Sequence, residues 1–255
     1  RAMDTATDFL KKPEAGGLTV DKFVVAGGSK RGWTTWTTAA VDAVSQKGVV
    51  GIAPFVIDML NMKESFKHHY RAYGFWAPAV SDYTDMGLMD VMDKPRYREL
   101  MKIVEPYEYR GRLTMPKFVA VSAGDQFFLP DSSRYSYSQL PGPKWLRYSV
   151  NTDHKQSQDD TVLNGLIWWA NAQLDGNSVP NINWTFEPDG SIRVVTGSSA
   201  QGVKLWQATN SVARDFRLES IGAAWTSTDL SNQGNNTYIG YCSPPAQGWT
   251  AFLVE

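Results

Sequence analysis

The sequence predicts an α/β fold: a mostly parallel sheet with flanking helices, interrupted by a helical insertion and followed by a small all-β sandwich. Three observations predict it. Up to about residue 176, short apolar runs such as Phe23-Val24-Val25-Ala26 and Val49-Val50-Gly51-Ile52-Ala53 alternate with longer helical patterns, the order of βαβ units. From Pro54 to about Met115 the chain turns helical and aromatic over a length too great for a plain crossover between strands. After Asp175-Gly176-Asn177-Ser178-Val179-Pro180 it changes to short strands, separated by Asp189-Gly190, Gly197-Ser198-Ser199 and Ser243-Pro244-Pro245. These shifts divide the chain into residues 1–179, with the insertion at about 56–115, and residues 180–255.

Taken in order, Ala2, Met3, Ala6, Phe9 and Leu10 stand at helical spacing and read as the later turns of a helix, which implies further chain upstream. A strand at 23–26, a helix at 34–46 and a strand at 49–53 follow. The insertion shows helical patterns at 59–73 and 94–104 and carries Phe66, Tyr70, Tyr73, Phe75, Trp76 and Tyr83. It forms either a cap over a pocket or an extra helical layer with its aromatics in a core of its own. Strands at 118–122 and 144–150 precede a helix at 158–174, whose Trp168-Trp169 pair is expected in the core. The all-β unit shows strands at 183–187, 191–196, 202–208 and 250–254.

Composition narrows the function. Twenty-five Lys and Arg against 26 Asp and Glu, with no dense basic block, leave nothing to neutralise a phosphate backbone, so nucleic acid is not an expected partner. The single cysteine, Cys242, cannot close an intrachain disulfide or assemble a thiolate metal site, and the 10 Trp, 11 Tyr and 11 Phe must supply the core instead. No apolar run approaches the roughly 18 residues that span a bilayer. Two glycosylation sequons, Asn183-Trp184-Thr185 and Asn235-Asn236-Thr237, predict a secreted, extracellular protein.

The chemistry concentrates at Phe23-Val24-Val25-Ala26-Gly27-Gly28-Ser29-Lys30-Arg31-Gly32-Trp33, an apolar strand running through a glycine-flanked serine into a helix. That is the context of a nucleophile elbow, in which a strained turn lifts the serine hydroxyl above the sheet and aims the next backbone N–H, here that of Lys30, at a substrate oxyanion. Gly27 and Gly28 supply small neighbours. The second glycine of the usual pattern, two residues after the serine, is replaced by Arg31, with Gly32 one position later. A phosphate-binding loop shares the strand, glycine and helix order, but here the lysine follows the serine and the Walker spacing is absent.

Serine needs a base, most often a histidine oriented by a carboxylate. His68 and His69 fall inside a helical pattern, where neighbours face different ways, and surface or core roles are expected for them. His154 follows a strand, in the loop Asn151-Thr152-Asp153-His154-Lys155, where a parallel sheet presents its functional loops. Asp125, after the strand at 118–122 and set between Gly124 and Pro130, supplies the acid in the chain order of such triads. Asp58 is the alternative acid, and Asp131 and Asp153 are expected to be solvated or capping. No metal-ligand spacing links the histidines to Asp82, Asp85 or Asp90, so neither metal nor cofactor is called for.

With these residues in place, the sequence resembles the PhoPQ-activated pathogenicity-related protein family, which includes autocrine proliferation repressor proteins of amoebae. The marks are Gly28-Ser29-Lys30-Arg31-Gly32-Trp33-Thr34-Thr35-Trp36, Gly124-Asp125-Gln126-Phe127-Phe128, Asp153-His154, Lys204-Leu205-Trp206-Gln207-Ala208 and Arg214-Asp215-Phe216-Arg217. Lys30-Arg31-Gly32 is also similar to the elbow of glucuronoyl esterases. The resemblance implies an α/β-hydrolase fold with a small β-sandwich behind it, and Ser29, Asp125 and His154 as the triad. It also implies sheet strands ahead of the elbow, which this chain has no room for, so that either a missing N-terminal segment or a partner chain is expected to cover the sheet edge. The leading expectation is a secreted serine hydrolase, esterase or peptidase-like, that passes through an acyl-enzyme and acts on a small-molecule or peptide substrate. The alternative is a secreted signalling or adhesion protein that keeps the fold and acts by binding.

Overall fold

Parallel pairing brings the apolar runs of the first half into one sheet. The computed structural model describes residues 1–57, 60–156 and 159–255. An opening helix, α1 (Ala2–Leu10), precedes β1 (Phe23–Gly28), α2 (Lys30–Ser45) and β2 (Val49–Phe55); β3 (Lys117–Ser122) and β4 (Lys144–Ser149) complete a sheet of order β1-β2-β3-β4, parallel throughout. β1 and β2 run past their apolar runs because Gly27 and Gly28 pair with Pro54 and Phe55. Pro54 has no N–H to give β3, and the β2–β3 register is recorded only at Ile52 and Phe55, to either side of it. Among the described residues no strand pairs with the outer edge of β1, where Ala26 is exposed.

Helices cover both faces of this sheet. α2 buries Thr35, Trp36, Ala39 and Ala40 against it. Buried Asp42 near the end of α2 accepts the N–H groups of Lys47 and Val49 and so fastens the turn into β2. On the other face, α6 (Asp160–Asp175) is capped by Asp159, which accepts the N–H groups of Thr161 and Val162. It lays Trp169 over Gly51, where a Cβ would come within 2.9 Å of the indole. Trp168 departs from expectation: it is 55% exposed while Trp169 is 1% exposed, because successive residues on a helix point about 100° apart. Gln158, the expected first residue of this helix, lies outside the described residues.

The insertion contributes α3 (Met62–Tyr73), α4 (Ser81–Asp85), α5 (Pro95–Val104) and a 3-10 stretch, Pro106–Arg112. Met59, expected to open the first of these helices, lies outside the described residues. The apolar side chains of the insertion, among them Phe66, Val80, Tyr97 and Met101, join Trp36 and Ala39 of α2 in one core. Trp33 of α2 donates its indole N–H to the Val104 carbonyl. The bulk of the insertion is therefore a helical layer on the α2 side, while α3 lies against the loop after β3, where Met62, Phe66 and His69 meet Phe127, Phe128 and Leu129, and Tyr107 donates to Gln139 Oε1 farther along the same loop.

At the far end of the sheet, Lys117 is wholly buried and donates to the carbonyls of Leu113, Met115 and Pro141 at 2.6–2.7 Å. Burial pushes its ammonium down to about 8. These bonds tie the end of the insertion to the starts of β3 and β4.

The C-terminal unit holds β5 (Ile182–Phe186), β6 (Ile192–Thr196), β7 (Lys204–Asn210), α7 (Leu218–Ile221), β8 (Thr226–Asp229), β9 (Thr237–Gly240) and β10 (Trp249–Val254). Two antiparallel sheets, β5-β6-β9 and β10-β7-β8, pack face to face. At Gly240 a Cβ would stand 2.5 Å from Val254 Cγ2 and 3.0 Å from Leu205 Cδ1. The unit also shares a core with the first: Ala208, Trp225 and Leu253 pack with Ala123, Tyr148 and Val150. No helix among the described residues is long and apolar enough to cross a membrane.

Glu105, just after α5, is 4% exposed and accepts the backbone N–H groups of Asn61 and Met62 at the start of α3. Burial raises its carboxyl from 4.5 to about 7, against the pull of those N–H groups. Between these two values the folded chain keeps a proton that the unfolded chain has released, so this group's contribution to stability falls as pH rises through that window. Urea unfolding at about pH 5 and about pH 8 should show the parent losing roughly 2–3 kcal/mol more than Glu105→Gln over that interval.

Candidate active site

Because β1, β3 and β4 run parallel, the segments that follow them emerge at the same edge of the sheet. After β1 the chain turns sharply at Ser29, whose φ of 53° and ψ of −126° lie outside the ordinary regions for an L-residue. The turn is held by the Ser29 N–H on the Phe55 carbonyl at 2.9 Å and by the Ser29 carbonyl accepting from Trp33 N–H at 3.0 Å. Two glycines make it sterically possible. A Cβ on Gly27 would lie 2.7 Å from the Arg31 carbonyl oxygen, and one on Gly32 would lie 2.6 Å from Ile57 Cγ2 and 3.0 Å from the Gly27 carbonyl oxygen. Gly32 thus fills the role of the glycine expected at position 31. At Gly28 a Cβ would meet nothing closer than 3.8 Å.

The loop after β3 places Asp125, which is 2% exposed. Its Oδ1 accepts the N–H groups of Phe127 at 2.7 Å and Phe128 at 3.2 Å, which fixes the carboxylate plane. Its Oδ2 lies 2.8 Å from His154 Nδ1. Burial pushes this carboxyl up, and the hydrogen bond from His154, its nearby charge and the two N–H groups pull the other way.

The loop after β4 places His154, with Nε2 2.8 Å from Ser29 Oγ. With Asp125 as a carboxylate, Nδ1 carries the proton it donates, and the Nε2 lone pair is left to accept from the serine hydroxyl. Gln126 Oε1 accepts the His154 N–H at 3.1 Å, and the rings of Phe127 and Phe128 flank the imidazole at centroid distances of 4.4 and 5.8 Å. The contribution of Gln126, Phe127 and Phe128 escapes a reading of the sequence by residue chemistry, because none of them titrates. Their signal in the sequence is that they adjoin Asp125 within one of the motifs that carry the family resemblance. The Lys30 amide opens α2, where N–H groups have no intrahelical partner.

The remaining candidates go elsewhere. His68 and His69 are both buried. His68 Nε2 is 2.8 Å from Asp131 Oδ1, and Arg214 pairs with Asp131 at 2.7 Å, so Asp131, whose side chain keeps 39% of its surface in solvent, also joins two distant side chains. His69 is pushed down to about 4 by burial and is neutral; it accepts the Ala77 N–H at 3.0 Å and donates to the Phe127 carbonyl. Asp153 accepts the Lys155 N–H, a turn cap. Asp58 lies outside the described residues. Among the described residues no three His, Cys, Asp or Glu side chains gather where a metal ion could sit. Cys242 is half-buried and donates to Gln207 Oε1 at 3.0 Å.

A parallel sheet whose strand enters a helix through a left-handed serine, with acid and histidine loops after later strands, defines an α/β-hydrolase fold. The chain belongs to the PhoPQ-activated pathogenicity-related protein family, whose model matches residues 1–217. Autocrine proliferation repressor protein A of Dictyostelium discoideum is 32% identical over 277 aligned positions, which cover 100% of this chain and 54% of that protein. The chain therefore spans about half the length of the curated relative it matches. Similar solved structures include an acetyl xylan esterase from Paenibacillus sp. R4, 16% identical over 67% of this chain and 51% of that one, with a TM-score of 0.45. A Pyrococcus horikoshii acylaminoacyl peptidase is 12% identical over 69% and 28% of the respective chains, with a TM-score of 0.48. A Paleococcus ferrophilus monoacylglycerol lipase is 13% identical over 68% and 74%, with a TM-score of 0.38.

The close approach at Gly32 is open to a direct check. Gly32→Ala should cost about 1–3 kcal/mol in urea denaturation, because the added methyl has backbone on one side and Ile57 on the other. Pairing it with Ile57→Ala should cost less than the sum of the two single changes, since the cavity left by one accepts the methyl of the other.

Proposed function

We propose that this protein is a serine hydrolase acting on an ester or amide carbonyl. One observation carries the reading: a strained serine, a histidine and a buried aspartate joined by two 2.8 Å contacts, drawn from three loops at one edge of a parallel sheet. Ser29 Oγ attacks the carbonyl carbon and its proton passes to His154 Nε2. The carbonyl electron pair moves to oxygen, which the Lys30 N–H helps to hold. When the pair returns, the leaving group departs with the proton from His154 and the acyl group stays on Ser29. Water then repeats the sequence, with His154 again as base, and releases the acid. Asp125 holds the His154 tautomer and stabilises the imidazolium.

Secretion belongs to the same proposal and rests on the exposure of Asn183 and Asn235, the acceptors of the two sequons. A second reading, a secreted signalling protein that acts by binding, is favoured by the name of the 32% identical relative, a repressor of proliferation.

The natural, undigested protein treated with a fluorophosphonate probe should carry the label on Ser29, and denaturation beforehand or Ser29→Ala should abolish it. Absence of label on the folded protein would move the assignment to the binding reading. Asp125→Asn should slow labelling by about 10⁴, because an amide in that place permits the wrong imidazole tautomer. Equal labelling rates for that variant and the parent would remove Asp125 from the relay.

A further inference from the structure

The connector from β7 to β8, residues 211–225, makes direct contacts with three separate loops of the first unit. Leu218 N–H donates to the Gly124 carbonyl at 3.0 Å, immediately before Asp125. Trp225 meets the side chain of Asn151, three residues before His154, through two hydrogen bonds: its N–H donates to Asn151 Oδ1 at 2.9 Å, and its carbonyl accepts from Nδ2 at 3.0 Å. The Arg217 guanidinium lies 5.1 Å from the Tyr73 ring and 5.4 Å from the Phe75 ring, at the end of α3. The connector is stiff in itself. Buried Asp215 accepts from Arg217 Nε, Arg217 Nη2 and Ser220 Oγ, and Arg214 reaches Asp131, which His68 also holds.

At Gly124 three stretches of backbone converge. A Cβ there would stand 2.8 Å from the Thr152 carbonyl oxygen and 2.9 Å from Leu218 N. The Gly124 N–H itself donates to the Thr152 carbonyl at 3.1 Å, so acid loop and histidine loop touch at the point where the connector touches the acid loop. Asn151 stands at φ 55°, a left-handed conformation that asparagine tolerates and that turns its amide toward Trp225. Its side chain makes both bonds of a peptide group, as a one-residue bridge would. Surface loops move by more than the few tenths of an ångström that a 2.8 Å relay allows, unless packing and hydrogen bonds from a second layer restrain them.

We propose that the β7–β8 connector sets the spacing of the acid and histidine loops, with Asn151 and Gly124 as the positioning residues through which it does so. The proposal rests on the hydrolase reading of Ser29, Asp125 and His154. The C-terminal unit then acts on the reaction through two backbone docking points and needs no contact with substrate.

The test uses the full chain with Asn151→Gly, which removes both bonds to Trp225 and suits the left-handed backbone, and Gly124→Ala, which drives Leu218 from Thr152. Ser191→Ala, which loosens only the β5–β6 turn, is the control. Two quantities are read: kinact and KI for fluorophosphonate labelling across a pH series, and the downfield proton NMR signal of the hydrogen shared by His154 Nδ1 and Asp125. Asn151→Gly should stay folded, lose tenfold to a hundredfold in kinact with KI unchanged, and lose the shared-proton signal to solvent exchange. Gly124→Ala should do the same, and Ser191→Ala should change neither quantity.

Parental kinact, pH profile and proton signal in Asn151→Gly would overturn the proposal and leave the hydrolase reading standing. If the parent itself takes no label, that reading falls and the proton signal alone decides: its loss in Asn151→Gly supports positioning, its persistence overturns it. An Asn151→Gly chain that does not fold would assign the contact to stability and also overturn the proposal.

Discussion

The structure depends on the parallel register of β1, β2, β3 and β4. Parallel strands send every following loop to the same edge, and only that arrangement brings Ser29, Asp125 and His154, far apart in sequence, within hydrogen-bonding distance. The cost falls on the backbone at that edge. Ser29 is held at positive φ, and Gly27, Gly32 and Gly124 leave no room for a side chain where chain segments cross. These close approaches surround Ser29, Asp125 and His154.

Charge is placed with the same economy. Asp125 is nearly inaccessible and is kept available as an acceptor by His154 and two backbone N–H groups. Asp131, a few residues on, is shared by a buried histidine of the insertion and an arginine of the β unit. The first carboxylate orients the imidazole of His154, and the second joins three parts of the chain. Sequence neighbours of the same type therefore serve different purposes according to what their surroundings offer. His68 and His69 repeat the pattern: one meets a carboxylate, while the other is neutral between an amide N–H and a carbonyl.

Much of this was legible in the sequence. Alternation of apolar runs and helical patterns marks β1, β2, β3 and β4 because each carries enough apolar residues to signal itself. β8 and β9 are not legible: Thr226-Ser227-Thr228-Asp229 is polar throughout, Thr237-Tyr238-Ile239-Gly240 is too short to show an alternation, and they are strands because β7 and β6 offer them partners. Helical periodicity begins at Thr34 although α2 begins at Lys30, because the turn residues before Thr34 carry no such periodicity. Trp168 was expected in the core because composition shows that a residue is apolar and does not show which way it faces.

By itself the sequence determined the α/β class, the all-β unit after Pro180, the glycine-flanked serine and the three residues whose chemistry suits a relay. These follow from periodicity, turn residues and side-chain type, which are local properties. Only the tertiary structure decided that Gly32 fits where Arg31 stands in the pattern, that Gln126, Phe127 and Phe128 hold the imidazole, and that Asn151 and Gly124 meet the β7–β8 connector. Those are distances between segments far apart in sequence. They are set by how the sheet, the insertion and the β unit pack together, and no run of neighbouring residues records them.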